Sequence, residues 1–552
     1  MFKKAVIGFR RILHSEKSRY TAWISRNSVD IRDLQNRSEA LPQQPDLIFI
    51  IWCKPDRFKD LESSIDCFEH QPYPAWKIVA ITAKPPEQLL PHQKNIQYIQ
   101  SDRAAEALRS TTGDYLAFIS AGDTLASHAL VSLAEAITTN KRPDLVYSDE
   151  DLIDPAGKRI RPIFKPDWSP DLLLTQYYLG NLTVFRSEAV QNCGGIDWSS
   201  GEAAAHDLAL RITEKSDRIV HIPDVLIQKH MEDKPAVDST LTRKILDRVI
   251  KRRKIPVKVT EDEQYPGLFI PHWMPKGNPS VTIIILNKDK PDYLAACLKS
   301  IFSLTSYPKF DVLLVDNDSK SRKTHDLYAR WLTAERNRFH VIENREPFNF
   351  SRFNNQAAHQ AKGDLLLFLN NDTRLLSPNW LEEMAGQALR SEIGAVGCLL
   401  QYPNRTVQHA GIILSSPQTA LHTHYRSSVE SRGHLGRLRV PAECNMVTGA
   451  CLMIRKEVFR ELGGFDEDLK VAYNDVDLCL RMREAGYRNL ILPQVRLVHY
   501  ESVTRGSDAN AGKRSRFEEE KRYFLSKWQP IGTDPYYNPN FDQSRGDYSL
   551  PV

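Results

Sequence analysis

Several features that would settle the class of this chain at once are missing from it. None of its eight cysteines (positions 53, 67, 193, 297, 398, 444, 451 and 479) stands in a CxxC pair, which argues against a zinc ribbon or a dithiol redox site. Thiols scattered in this way fit a reducing compartment. No continuous apolar run of transmembrane length occurs, and the N-terminus lacks the apolar core of a signal peptide, so the expectation is a cytosolic chain that at most touches a membrane. The net charge is only +5 over 552 residues, too little for a protein whose main business is wrapping nucleic acid. What is present is a globular composition, 41% apolar and 26% charged, in a chain too long for one ordinary core. Two domains of roughly 200 to 250 residues are expected.

Residues 1–20, MFKKAVIGFRRILHSEKSRY, place Phe2, Val6, Phe9 and Leu13 on one helical face and Lys3, Lys4, Arg10 and Arg11 elsewhere. A basic amphipathic helix of this kind suits the headgroup region of an anionic leaflet, or docks on the next domain. From Asp46 short apolar strands alternate with helical stretches: LIFIIW (47–52), KIVAIT (77–82), DYLAFIS (114–120). That alternation predicts an α/β domain with a mainly parallel sheet. The pattern restarts with VTIIIL (281–286), DVLLVD (311–316) and DLLLFLN (364–370).

The restart is an internal repeat. Tyr73-Pro74 and Tyr307-Pro308 lie 234 residues apart, Gly113-Asp114 and Gly363-Asp364 250, and Asp207-Leu208 and Asp477-Leu478 270. The order is kept while the spacing grows, as insertions into one duplicated fold would produce. Between the copies, PGLFIPHWMPKGNPS (266–280) has four prolines and two glycines and reads as a linker, with the boundary near residue 272. The expected division is a lead-in over 1–44, a first domain over 45–272 and a second over 273–552.

Chemistry-bearing residues gather in the second copy. In an open α/β sheet the ligand sits beyond the carboxyl ends of the strands; Asp316 ends DVLLVD, and Asp372 follows DLLLFLN within Asn370-Asn371-Asp372-Thr373. Each acid alone reads equally as a turn former. The stretch 447–502 adds a small-residue turn (Thr448, Gly449, Ala450), a Gly463-Gly464 break, Asp475, Asp477 and His499. Asp475 to Gly486 predicts a helix whose first turn carries both aspartates, where orphan N–H groups and the helix dipole favour negative charge. Taken alone, Asp475 is an N-cap. His409, His422 and His424 have no spacing that marks a site and are expected at the surface.

LLFLNNDT, then VTGACLMIRKEVFRELGGFDE, YNDVDLCLRMREAGYR and HYES, resembles the family 2 glycosyltransferases of GT-A fold, in particular the tandem-domain enzymes of bacterial O-antigen and surface polysaccharide synthesis. The first copy resembles the same group through YSDEDLIDPAGKRIRPIFKPDWSPDLLL (147–174) and Tyr20 to Ile24. The resemblance implies two tandem Rossmann-like GT-A domains, a nucleotide-sugar donor, a divalent metal (Mn²⁺ or Mg²⁺), inversion at the anomeric carbon and a lipid-linked glycan acceptor. It implies Asp316 at the nucleotide base, Asn371 at the donor, Asp372 as the metal-binding acid, Asp475 as general base and His499 as a second metal or diphosphate contact. Arg505 reads as a further diphosphate contact or as a solvated loop arginine. Two positions depart from the family pattern: the DxD-like element has one acid, and the usual Glu-Asp is Asn474-Asp475.

The first copy has Thr82, Gly122 and Ala205 where the second has Asp316, Asp372 and Asp475, so it is expected to be degenerate, with Asp123 and His206 as partial replacements. Alternative readings are a bifunctional transferase with both domains active and a non-catalytic nucleotide- or carbohydrate-binding scaffold. A nucleotidyltransferase would show a glycine-rich loop after the first strand, whereas VTIIIL runs into Asn287-Lys288-Asp289-Lys290. No GxGxxG follows either first strand, which argues against a dinucleotide-dependent dehydrogenase.

Overall fold

A computed structural model describes residues 18–53, 57–83, 95–104, 112–154, 156–230, 239–415, 419–500, 511–529 and 532–552. All but the last three residues of the expected N-terminal basic helix, and Arg505, lie outside the described residues. The chain divides into two compact units. One comprises residues up to Arg253 with Asn538–Phe541 and Ser549–Val552; the other comprises Lys254–Tyr537 and Asp542–Tyr548.

The first unit holds β1 (Leu47–Trp52), β2 (Trp76–Thr82), β3 (Ile96–Gln100), β4 (Tyr115–Ser120), β5 (Thr124–Leu125), β6 (Leu145–Ile153), β7 (Arg159–Ile163), β8 (Val184–Arg186) and β9 (Ile219–His230) in one mixed sheet. Its order is β3-β2-β1-β4-β8-β6-β9-β5, with β7 beside β6. The β1, β2, β3 and β4 pairings are parallel, because each connection between them crosses over the sheet before the next strand is laid down.

The second unit opens with β10 (Val257–Glu261) and β11 (Phe269–Trp273), and continues with β12 (Val281–Asn287), β13 (Phe310–Asp316), β14 (Phe339–Glu343), β15 (Leu365–Leu369), β16 (Thr373–Leu375) and β17 (Ile393–Gln401). Then come β18 (Val407–His409), β19 (Ile412–Ser415), β20 (Thr419–His422), β21 (Ala442–Cys444), β22 (Cys451–Arg455) and β23 (Arg488–His499). Its main sheet runs β14-β13-β12-β15-β22-β17-β23-β16. Position for position this is the order of the first sheet, so the repeat read from sequence spacing is a repeat of topology.

Alternation along the strands decides which side chain meets which layer. Val281, Ile283 and Ile285 of β12 pack with Leu294, Leu298 and Trp380 on one face, while Ile284 packs with Phe350, Phe353 and Val476 on the other. Both faces are covered by helices, so these strands read as unbroken apolar runs. Burying each such side chain contributes about 1.5–3 kcal/mol.

The proline-rich stretch read as a linker is not one throughout. Phe269–Trp273 pairs antiparallel with Val257–Glu261, Pro271 lying opposite Val259; in a two-stranded ribbon every strand is an edge, where a residue without an N–H is tolerated. The ribbon is seated in the second unit. His272 Nδ1 lies 2.6 Å from Glu383 Oε1, and the Arg390 guanidinium sits 4.2 Å over the Trp273 ring. The compact second unit therefore begins at Lys254, ahead of the boundary expected near 272.

All eight cysteines are free thiols. Among the described residues no helix is long and apolar enough to cross a membrane.

Candidate functional site

A cavity of about 830 Å³ lies in the second unit, beyond the carboxyl ends of β12, β13 and β15, lined among others by Asn287, Asn371, Asp372, Gly449, Asp475 and His499. That is where an open α/β sheet offers its crevice.

The strand ends are stitched together by one directed chain of hydrogen bonds. Asn371 Nδ2 donates to Asn287 Oδ1 (2.6 Å), Asn287 Nδ2 to the Tyr328 hydroxyl (2.7 Å), and that hydroxyl to Asp316 Oδ1 (2.7 Å). Asp316 also accepts from the Ser319 hydroxyl and backbone N–H, and it is buried. It stands behind the wall; its neighbours Asn317 and Asp318 line the cavity. Asn317 Nδ2 donates to the carbonyls of Asn344 and Glu346, which holds the loop carrying Arg345, Glu346 and Phe348 at the rim. Asp316 thus shapes this side of the cavity through Tyr328, Asn287 and Asn317's strand end, with no wall position of its own.

Asp372 and His499 come together at the cavity wall. Strand β16 pairs with β23 so that Thr373 lies opposite His499, which brings His499 Nε2 to 3.1 Å from Asp372 Oδ1. The tautomer follows from the ring's other partners: Asn370 Nδ2 donates to Nε2 (3.2 Å), and Nδ1–H donates to Gln408 Oε1 (2.7 Å). An imidazole lone pair and a carboxylate oxygen then converge on one point. Such a pair fits a divalent cation that accepts oxygen and imidazole ligands, with the remaining positions left to water and ligand oxygens. Among the described residues no group of three or more His, Cys, Asp or Glu side chains is placed to hold a metal ion, so of these residues Asp372 and His499 are the two that would hold one.

Asp475 is the second residue of the helix Asn474–Glu484, after Tyr473 at φ 62°. It is not the N-cap. Its Oδ2 accepts from the Gly449 N–H at 2.8 Å and its Oδ1 from Val476 N–H at 2.9 Å, so the small-residue turn and the helix start aim one half-buried carboxylate into the cavity. Asn474 beside it is buried; Oδ1 accepts from Asp475 N–H, and Nδ2 has no partner among the described residues, leaving an amide donor on the cavity wall. Asp477 has a different task. Its Oδ2 accepts from Arg481 Nε (2.9 Å), and its Oδ1 from Trp528 Nε1 (3.0 Å) and Lys527 Nζ (2.7 Å), which ties down the helix Ala511–Trp528. That helix supplies Arg516, Phe517 and Glu520 to the wall; nothing in its sequence pattern marked it for the site.

His409 and His424, expected at the surface, are buried. His409 Nδ1 is 2.9 Å from His422 Nδ1, and His409 Nε2 accepts from Thr448 N–H at 3.4 Å. Burial holds both rings neutral, with His424 pushed down to about 3.

In the first unit the corresponding positions are filled by other chemistry. Thr82 ends β2 as Asp316 ends β13. Leu125 pairs with Ile227 as Leu375 pairs with Leu497, so Lys229, one residue before His230, holds the place of His499. Lys229 Nζ lies 3.6 Å from Glu150 Oε1, and the buried Lys165 Nζ lies 3.1 Å from Glu150 Oε2 and 2.6 Å from the carbonyls of Ser148 and Leu179. Asp123 is buried against Asn181 and the His230 N–H, and burial pushes its carboxyl up to about 6. His206 is sealed, its Nε2 2.9 Å from Leu173 O, and burial pushes it down to about 4.

Residues 280–463 match the description "Glycosyl transferase family 2". That matched segment, within the second unit, carries the family's pattern. The matched span contains Asp316, Asn371 and Asp372, and ends before Asp475 and His499. The chain is 37% identical over 461 residues, 81% of its own length, to the O-antigen biosynthesis protein RfbC of Myxococcus xanthus, and 34% identical over 82% of its length to the uncharacterized protein y4gI of Sinorhizobium fredii. It spans 35% and 51% of those relatives' lengths. Among solved structures, the mannosyltransferase PcManGT of Pyrobaculum calidifontis, in complex with GDP-Man and Mn²⁺, is similar at 19% identity with a TM-score of 0.35, over 53% of this chain and 73% of that one.

Proposed function

We propose that the second unit of this family 2 glycosyltransferase moves a sugar from a nucleotide-sugar donor to an acceptor hydroxyl with inversion, in the assembly of an O-antigen or related surface glycan on a lipid-linked acceptor. The observation that carries the reading is that Asp475 and the convergent Asp372–His499 pair line one cavity. Three further carboxylates line it, and each has a cation beside it: Asp318 has Lys320, Glu346 has Arg352 and Glu520 has Arg516. Asp475, held by the N–H groups of Gly449 and Val476, has no ion-pair partner among the described residues, which supports its reading as the base.

In direct displacement the acceptor oxygen attacks the anomeric carbon as the nucleoside diphosphate departs, and the acceptor proton passes to a carboxylate on the face opposite the leaving group. Asp475, fixed by Gly449 and Val476, takes that proton. Asn474 Nδ2 donates to a sugar oxygen. Asp372 Oδ1 and His499 Nε2 would hold a Mn²⁺ or Mg²⁺ ion, which when bound supplies charge neutralisation for the departing diphosphate. Lys288, Arg345 and Arg516 on the wall add to that positive field. Arg505, outside the described residues, is either a further diphosphate contact or a solvated loop arginine. The similarity to RfbC supports the glycan class of the acceptor.

The test is a panel of nucleotide sugars with Mn²⁺ and a lipid-linked acceptor, followed by nucleoside diphosphate release and anomeric configuration of the product. One donor should turn over with inversion, and Asp475→Asn should lower the rate by about 10² to 10⁴ while donor affinity stays within a few-fold. Retention of configuration, or more than half the activity in Asp475→Asn, overturns the reading.

A further inference from the structure

Strand β18 contains an irregularity that falls on the site. It pairs antiparallel with β17, Leu400 opposite His409 and Gln401 opposite Val407. Gln408 is therefore the extra residue of a β-bulge, and bulges re-aim a side chain where a regular ladder would send it elsewhere. Strand β17 pairs on its other side with β23, Leu400 opposite Leu497 and Gln401 opposite Val498. The bulge thus lies beside the end of β23, and its residue is the one that reaches His499.

We infer that Gln408 is a positioning residue: through its amide oxygen it holds His499 in the Nδ1–H tautomer, with the Nε2 lone pair turned toward Asp372. Three polar side chains fix the ring: Asp372 Oδ1 lies 3.1 Å from Nε2, and the two amides bond one nitrogen each. Gln408 Oε1 accepts at Nδ1 (2.7 Å) while Asn370 Nδ2 donates at Nε2 (3.2 Å). Gln408 and His499 are both buried, so no solvent competes for Nδ1. A histidine ligand needs its second nitrogen bonded to fix ring orientation and tautomer, and loss of such a partner typically weakens metal affinity 10–100-fold. A carboxylate at 408 would keep an acceptor at Nδ1. The inference rests on the reading of His499 as a donor-side ligand only for its consequence; the hydrogen bond between Gln408 and Nδ1 is independent of any metal.

The experiment uses the full chain with ¹⁵N-labelled histidine, the His499 signals assigned by difference against His499→Gln, and the ring nitrogens classified as protonated or lone-pair-bearing from their shifts. The parent should show a protonated Nδ1 and an unprotonated Nε2; Gln408→Glu should keep that state and Gln408→Leu should lose it. In parallel, free Mn²⁺ is followed by its EPR signal on titration into each protein. Parent and Gln408→Glu should bind alike or the latter more tightly, and Gln408→Leu about 10–100-fold more weakly. An unprotonated Nδ1 in the parent, or an unchanged His499 spectrum in Gln408→Leu, overturns the inference. Equal loss of Mn²⁺ affinity in Gln408→Glu and Gln408→Leu also overturns it, since a purely packing role would not distinguish them. A parent that binds no Mn²⁺ but shows the tautomer change removes the metal from the proposed function and leaves Gln408's role standing.

Discussion

Asp475 and Asp477 sit two residues apart on one helix and illustrate how neighbouring carboxylates acquire opposite uses. Asp475 is half-buried and reaches a backbone N–H and the cavity; Asp477 is fully buried and carries Arg481, Lys527 and Trp528. Asp477→Ala leaves two cations and an indole N–H without their acceptor, a change that costs about 3–5 kcal/mol for a broken buried pair. Asp475→Asn, whose amide oxygen still accepts from Gly449, should cost far less stability and most of the activity. Urea unfolding and transfer assays on the two variants should give crossed results, and parallel losses would mean that Asp475 too is structural. His206 offers a third residue-scale test. Its ring is neutral in the native state down to about pH 4, whereas in the unfolded chain it takes a proton below about 6.5. The unfolded state then binds more protons in the window between, so stability falls as pH drops through it, by about 2 kcal/mol at pH 5. The stability advantage of the parent over His206→Gln should shrink by that amount between pH 7.5 and pH 5. A difference independent of pH would show that the ring titrates freely.

At the scale of elements, a glycine inside a helix usually costs about 1 kcal/mol against alanine, and Gly386 in the helix Trp380–Ala388 reverses that sign. A Cβ there would lie 1.7 Å from the carbonyl oxygen of Trp273, so the helix is bared at this point to receive β11. Gly386→Ala should therefore lower the urea midpoint; a rise would show that the β10–β11 ribbon is not seated against this helix. The ribbon also marks the limit of what could be read from the chain. The strands with unbroken apolar runs, the two aspartates at a helix start and the order of the repeat were legible because alternation and spacing are local properties. Strand β11 was not, because four prolines in 266–280 signal a linker unless a partner edge is known. Gln408 was invisible for a similar reason: a bulge is a relation between two strands, and no periodicity within VQH announces it. Asp316 was legible as a strand-end acid, but its place behind Tyr328 and Asn287 depends on side chains supplied by three separate elements.

At the scale of the whole chain, two sheets of one topology differ in what stands at their carboxyl ends. The second offers a carboxylate and an imidazole lone pair that converge; the first places Lys229 at the histidine's position and buries Lys165 against Glu150, so the charge that a cation would bring is already supplied by ammonium groups. Asp123, beside Gly122, is buried with its carboxyl up to about 6 and engaged by Asn181. These parts do not reproduce the carboxylate–imidazole pair of the second unit. The expected outcome in the full chain is that Asp123→Asn leaves the rate and product of transfer within about two-fold of the parent. Because the native carboxyl holds its proton to higher pH than the unfolded one, the ionised form opposes folding above about pH 4, most fully above about pH 6; removing the charge should leave the melting temperature at pH 7.5 unchanged or raised. Asp372→Asn should instead abolish donor turnover and its dependence on Mn²⁺ while the first sheet is untouched. If Asp123→Asn removes one sugar from a product that Asp372→Asn leaves with another, the first unit is a transferase in its own right, and the ammonium groups at its strand ends do the work assigned in the second unit to a metal.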